Sequence, residues 1–399
     1  MSRASARAVE DPAPDVAVIG GGIVGTAAAA FLADAGARVR LYERTEIAAG
    51  ASGRNSGIVQ QPFDPVLAAL YRTSLVEYEA LDRGDAGFEM PGEPSGLLYV
   101  GRQPEVAHRM AAAWADAWPA SRPEVLADED LRRLEPALAP DLVACRLAIG
   151  FPVAPAAATH AFATIAARHG VETCIGAARP EVAGGRVVGV RFEGRVESAG
   201  AVLVAAGPWT PELIDPIGAW RPIRRIWGVV AGLALDAPPT HALEAVDITI
   251  EPGHAINPTG EPVEPSDAGV EFSLIPGVGS SALGSTFLPV EPEPGAWLPA
   301  LRRVGARYVP GVADAPLVGL RHCARPASAD GRPLVGAVRE IGGLFVAAGH
   351  GPWGISTGPG SARLVADLIL GRNGGSGVPE ELDPGRFGPT QRQEAGSKR

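Results

Sequence analysis

Gly20-x-Gly22-x-x-Gly25 follows the apolar run Val16, Ala17, Val18, Ile19 and leads into small, strong helix formers from Thr26 to Ala35. Each glycine has a task in that setting. Gly20 permits a tight turn, Gly22 lets the backbone approach a pyrophosphate, and Gly25 lets helix and strand pack closely. A helix opening at Ile23 and Val24 turns free N–H groups and a positive dipole end toward the same point. Glu43, followed by Arg44, closes an alternating strand about 20 residues further on, where an acid accepts from ribose hydroxyls. An acid rather than an arginine at that place argues against a bound 2′-phosphate. The chemistry implied is dinucleotide binding.

These groups need a scaffold, and the chain is large enough to supply one. With 399 residues, 46% of them hydrophobic, it can form two domains with separate cores. The net charge of -10 and the lack of a basic run argue against nucleic-acid binding. Cys145, Cys174 and Cys323 lie far apart, so neither a disulfide framework nor a metal site is indicated. The N-terminus is polar until Val16, and the one long apolar stretch is broken by glycines. A cytoplasmic protein without a transmembrane segment is expected. Residues 1–13 and 373–399 are rich in Pro, Gly and charge and are expected to be flexible tails.

After Glu43, glycines alternate with small polar residues through Gly50, Ser52, Gly53, Arg54, Asn55, Ser56 and Gly57. Such a loop offers many donors to a phosphate or a flavin ring. The glycine fingerprint, the acid and this Gly-Ala-Ser-Gly-Arg-Asn-Ser-Gly loop together resemble the FAD-dependent D-amino-acid oxidase superfamily. That group includes glycine oxidases, sarcosine oxidases, D-amino-acid dehydrogenases and L-2-hydroxyglutarate oxidases.

Further along, helical spacing predicts helices over 64–82, 104–118, 128–134 and 156–169, and a strand over 96–101. Residues 180–192 alternate around Gly184-Gly185, a hairpin, and 199–206 is a buried strand. From 216 to 310 prolines are frequent. Strands are expected at 227–235, 246–250, 270–275 and 281–287, with a lid candidate at 251–268. Near the C-terminus a strand at 344–348, the turn Gly349-His350-Gly351 and a helix over 356–370 form a second strand–glycine turn–helix unit.

The resemblance covers about 15–370. It implies an α/β fold: a Rossmann-like (GR2-type) FAD-binding domain beside a substrate domain built on an antiparallel sheet. The FAD domain would be discontinuous (14–80, 150–215, 325–372), with 81–149 and 216–324 forming the substrate domain. In the relatives Val182 would lie against the adenine, and Ala206-Gly207 would pass close to the cofactor. The turn through Gly349, His350, Gly351, Gly354 and Ile355 would lie under the flavin pyrimidine. Arg325 stands in an Arg-Pro-x-Ser-x-Asp-Gly frame like the one whose arginine holds substrate carboxylate, with a salt bridge to Asp330 as the plainer alternative and Arg321 in reserve. His350, beside the flavin, and Trp353, which would shape the pocket or shield the flavin, are candidate catalytic residues along with Arg325. Cys323 occupies a frame similar to that of the cysteine that binds FAD covalently in monomeric sarcosine oxidases, although Arg325-Pro326 replaces their Tyr-Thr. A non-covalent FAD and a free thiol are the simpler expectation. The implied reaction is oxidation of an amino acid or N-substituted amino acid by hydride transfer to the flavin, giving an imine that hydrolyses. Oxidation of a 2-hydroxy acid, or a catalytic-subunit role in an opine-oxidase-type complex, are the alternatives. Oxygen, a quinone or a partner redox subunit would take the electrons.

Overall fold

The strand Val16–Ile19 pairs in parallel with Val39–Glu43 on one side and Ala201–Val204 on the other. Glu172–Ile175 extends the first edge. Leu344–Ala348, parallel, and then Leu334–Ala337, antiparallel, extend the second, completing six strands. The computed structural model describes residues 14–245, 263–372, 374 and 377–388. Val16–Ile19 is buried at every position, as expected for a parallel strand covered on both faces.

Helix Ile23–Asp34 covers one face and is itself covered by the helices Ala157–Arg168 and Gly354–Ile369. That enclosure explains why it is apolar all round instead of striped. Its alanines let the neighbouring helices approach closely. Helix Pro65–Asp82 starts where Asp64 accepts from the N–H groups of Val66 (2.9 Å) and Leu67 (3.0 Å), with Pro65 in the first turn.

The C-terminal helix lies where the sequence predicts it, starting two residues earlier. It begins at Gly354 and carries Pro359 in its second turn. Proline cannot donate to the Ile355 carbonyl one turn back. The Tyr78 hydroxyl does so instead, at 2.6 Å, and the next N–H, of Gly360, finds Ser74 Oγ at 2.9 Å. Helix Pro65–Asp82 thus supplies the bonds that the proline removes.

The second sheet has eight strands, running in order Leu317–Ser328, Ile223–Leu233, Ser281–Thr286, Val270–Ile275, Ala242–Ala245, Leu97–Gly101, Val143–Leu147, Glu124–Ala127. It is antiparallel except between Ala242–Ala245 and Leu97–Gly101, which run parallel because they come from distant segments. Helix Pro294–Ala306 closes one face through Trp297, Leu301 and Val304. The boundary expected at 324/325 falls inside the longest strand.

Other expectations need correcting or placing. The polar loop after Glu43 contains a helical turn, Ala51–Arg54. The hairpin around Gly184-Gly185 is present and gains a third strand, Arg195–Ser198. The strand expected at 246–250 lies outside the described residues, as does the lid candidate up to 262; Ala242–Ala245 immediately precedes them. Residues 377–388 are not a loose tail: Leu382 is buried, and Arg386 Nε pairs with Asp330 at 2.8 Å. No helix among the described residues is long and apolar enough to cross a membrane.

Candidate active site

A cavity of about 880 Å³ runs between the two sheets. One end is built by Gly20, Gly22, Ile23, Val24, Glu43 and Arg44. Gly20 has φ +119, and its carbonyl lies where a Cβ on Gly25 would sit, at 1.9 Å. Any larger residue at 25 would force helix and strand apart. Gly25 therefore shapes the turn without lining the cavity. Glu43 accepts from the N–H groups of Gly21 (2.7 Å) and Thr45 (3.0 Å), which fixes its carboxylate at the mouth of the turn. Arg44 lies over the Trp209 ring at 4.8 Å.

The polar loop divides its labour. Ser52 Oγ accepts from Ile23 N–H at 2.9 Å, capping the first helix from outside. Asn55 spends its side chain on the backbone, accepting from Gly57 N–H (2.8 Å) and donating to Ser52 O (2.8 Å). Arg54 donates to His322 O at 3.5 Å and so reaches the second sheet. Ser52, Arg54, Asn55, Ser56 and Gly57 all line the cavity, as do Ala206 and Gly207. Val182 does not. The cavity wall in that region is Gly176, Ala177 and Ala178, whereas Val182 packs among the core residues around Val187 and Val190.

At the other end Gly351, Trp353, Gly354 and Ile355 bring the start of the helix Gly354–Ile369 to the cavity. Gly349, with φ +92, turns the chain just outside it. His350 is buried, its Nε2 2.9 Å from Ser361 Oγ. Burial pushes its pKa down to about 4. The ring is neutral at ordinary pH and ties the turn to the helix.

Arg325 crosses the sheet. Its Nη1 donates to Thr286 O at 2.8 Å, its Nη2 bonds to Ser285 Oγ, and the guanidinium lies over Phe287 at 4.4 Å. The crossing is possible because Gly228 lies beneath it: a Cβ there would sit 2.2 Å from Nη1. Arg325 does not pair with Asp330, which Arg386 holds, and it forms no ion pair among the described residues. Its hydrogen-bond partners are neutral oxygens, and Glu271 lies within electrostatic reach of it. Arg321 donates to Asn55 O at 3.3 Å and stands apart from the lining. Cys323 is buried and lines the cavity. Burial raises its pKa, against the pull of Arg325, Arg54 and Arg321.

Gln60, Glu244 and Glu271, which no motif marks, face the same space. Gln60 N–H donates to Ser356 Oγ at 3.0 Å, and its Nε2 donates to Glu244 at 3.4 Å. Tyr99, cross-strand from Glu244, also bonds to that carboxylate. Burial, with Glu271 nearby, raises Glu244 to about 7. On the strand Val270–Ile275, Ser273 and Ile275 line the cavity along with Glu271.

The family model of FAD dependent oxidoreductases matches residues 15–368. The chain belongs to that family. It is similar to glycine oxidase of Pseudomonas aeruginosa, 27% identical over 409 aligned positions that cover 94% of this chain and 99% of the relative. D-amino acid dehydrogenase of Xylella fastidiosa is 29% identical over 62% of this chain and 55% of its own length. The crystal structure of iminodiacetate oxidase from Chelativorans sp. BNC1 shares the fold, with TM-score 0.76 and 22% identity over 92% of this chain and 98% of that one. FAD is the cofactor of this oxidoreductase, and the residues present fit it. The glycine turn and the capped helix N-terminus suit a pyrophosphate at one end. A second helix N-terminus faces the other end, where a flavin ring gathers negative charge on reduction.

Proposed function

We propose that this oxidoreductase oxidises the C–N bond of an amino acid or N-substituted amino acid to an imine, which water hydrolyses. Arg325 carries the assignment: a guanidinium in the cavity wall whose hydrogen bonds go to the neutral Thr286 and Ser285 oxygens suits a substrate carboxylate. When bound, FAD accepts the hydrogen and electron pair lost from the substrate α-carbon. Arg325 would fix that carbon by holding the carboxylate, and Phe287 and Gly228 would fix Arg325. Gly20, Gly22, Gly25 and Glu43 would hold the adenosine diphosphate half, while Gly351, Gly354 and Ile355 would set the helix end against the ring. His350, neutral and bonded to Ser361, would keep that turn in place, and Trp353 would exclude water. Oxygen, a quinone or a partner redox subunit would take up the electrons.

The test is Arg325→Leu. Flavin should stay bound while flavin reduction by amino acids falls roughly 1000-fold, the value of two charge-assisted hydrogen bonds. Because Cys323 is read as a free thiol, acid precipitation should release flavin from both proteins. Retained turnover with unchanged KM would sink the clamp, and flavin that stays with the precipitate would sink the free thiol.

A further inference from the structure

Two side chains meet across the cofactor crevice. Val16–Ile19 is the middle of three parallel strands, with Val39–Glu43 on one side and Ala201–Val204 on the other. Their carboxyl ends open on the same edge, where a parallel sheet binds its ligand. Arg44 follows the second of these strands and Trp209 the third. They start from opposite lips of the crevice, two strand spacings or about 10 Å apart. Yet the Arg44 guanidinium lies 4.8 Å from the centre of the Trp209 ring. The contact spans the gap in front of Gly20, Gly21 and Gly22, and all of these residues line the cavity.

The ring is set from its other neighbours. Arg225 also lies over it, at 5.9 Å, and Glu212, three residues after Trp209, holds Arg225 at 2.6 Å. Trp209 is half-buried, whereas Arg44 is exposed and has no carboxylate partner among the described residues. Holding a long exposed side chain in one pose costs rotamer entropy, which the ring contact offsets. On an open surface such a contact would be incidental. Here its two halves come from strands on either side of the glycine turn, so it forms only across the site.

We propose that Arg44 and Trp209 form a clasp that closes over the adenosine end of bound FAD and slows its escape. Arg225 and Glu212 are positioning residues for the ring. The proposal rests on the glycine turn and Glu43 holding the adenosine diphosphate half. Glu43 immediately precedes Arg44, so a ribose held by the acid lies beside the arginine that closes over it.

The experiment follows FAD release from the loaded protein after dilution, by the rise in free-flavin fluorescence. Arg44→Gln and Trp209→Leu should each speed release about 2- to 5-fold, the value of an exposed cation–π contact. The double variant should release no faster than either single one, because each removes the same contact. Trp209→Phe keeps a ring and should release more slowly than Trp209→Leu. Glu43→Gln weakens a separate bond, to the ribose, and should speed release about 10-fold. Release at the wild-type rate from Arg44→Gln overturns the proposal, and that exposed position carries the test alone if the leucine protein does not fold. Single-variant effects that multiply in the double variant overturn it as well. If Glu43→Gln speeds release and Arg44→Gln does not, the clasp falls and the adenosine site stands; if neither does, both fall.

Discussion

Glu244 should limit stability in a way that pH reveals. Its carboxyl ionises at about 7 in the fold instead of its usual 4.5. Burial is the main cause and Glu271 adds to it, while bonds from Gln60 and Tyr99 act in the opposite direction. Between those two values the folded protein keeps a proton that the unfolded chain has lost. Stability therefore falls as pH rises from about 4.5 to about 7, then levels off. At about 1.4 kcal/mol per pH unit the loss amounts to about 3 kcal/mol. Glutamine has the same shape and no proton to lose, so Glu244→Gln should escape the loss. With an unfolding entropy of about 2.1 cal/mol/K per residue, the difference is about 4 °C in Tm. The assay is circular dichroism melting of both proteins from pH 5 to 9. The variant should exceed the wild type by about 1 °C at pH 5 and by about 4 °C at pH 8. A Tm difference that stays constant across that range would refute the account of Glu244 as a buried acid.

Gly228→Ala should act on Arg325 from below. The added methyl would sit 2.2 Å from Nη1, so the guanidinium must leave Ser285 and Thr286. Flavin content should hold, and the rate constant for flavin reduction should fall by about 10- to 100-fold; an unchanged rate would mean that Arg325 does not need its present path. Tyr78→Phe should cost about 1–3 kcal/mol in denaturant unfolding, because the Ile355 carbonyl beside Pro359 loses its donor. A cost near zero would show that another donor replaces it.

The phosphate turn was legible because its signal is local. Gly20, Gly22, Gly25 and Glu43 lie within one strand–helix–strand unit, and each glycine meets a steric demand that the spacing alone predicts. Arg325 was legible through its frame, yet the glycine that makes room for it lies almost a hundred residues away and carries no mark. Ser52 and Asn55 were recognised as polar groups of the cavity. Their bonds, however, go to backbone groups of the helix start and the turn, since buried N–H groups must find acceptors. Glu244, Glu271 and Gln60 were invisible for a different reason. Each sits on or beside a short strand whose inward face depends on register, and register joins distant segments that no local pattern connects. Pro359 sits in the second turn of the last helix because Tyr78 and Ser74, on a distant helix, bond the Ile355 carbonyl and the Gly360 N–H beside it.

The first strand has neighbours that the ribosome delivers late. Val16–Ile19 waits for Ala201–Val204, and that strand in turn waits for Leu344–Ala348. At about 5–20 residues per second, the last of these emerges roughly 20 to 60 seconds after the first. Until then the alanine-rich helix Ile23–Asp34 lacks its cover from Gly354–Ile369, and one end of the cofactor cavity does not exist. Loading of flavin is therefore an event of the finished chain, and a nascent or truncated chain must keep its most apolar helix out of solvent by other means.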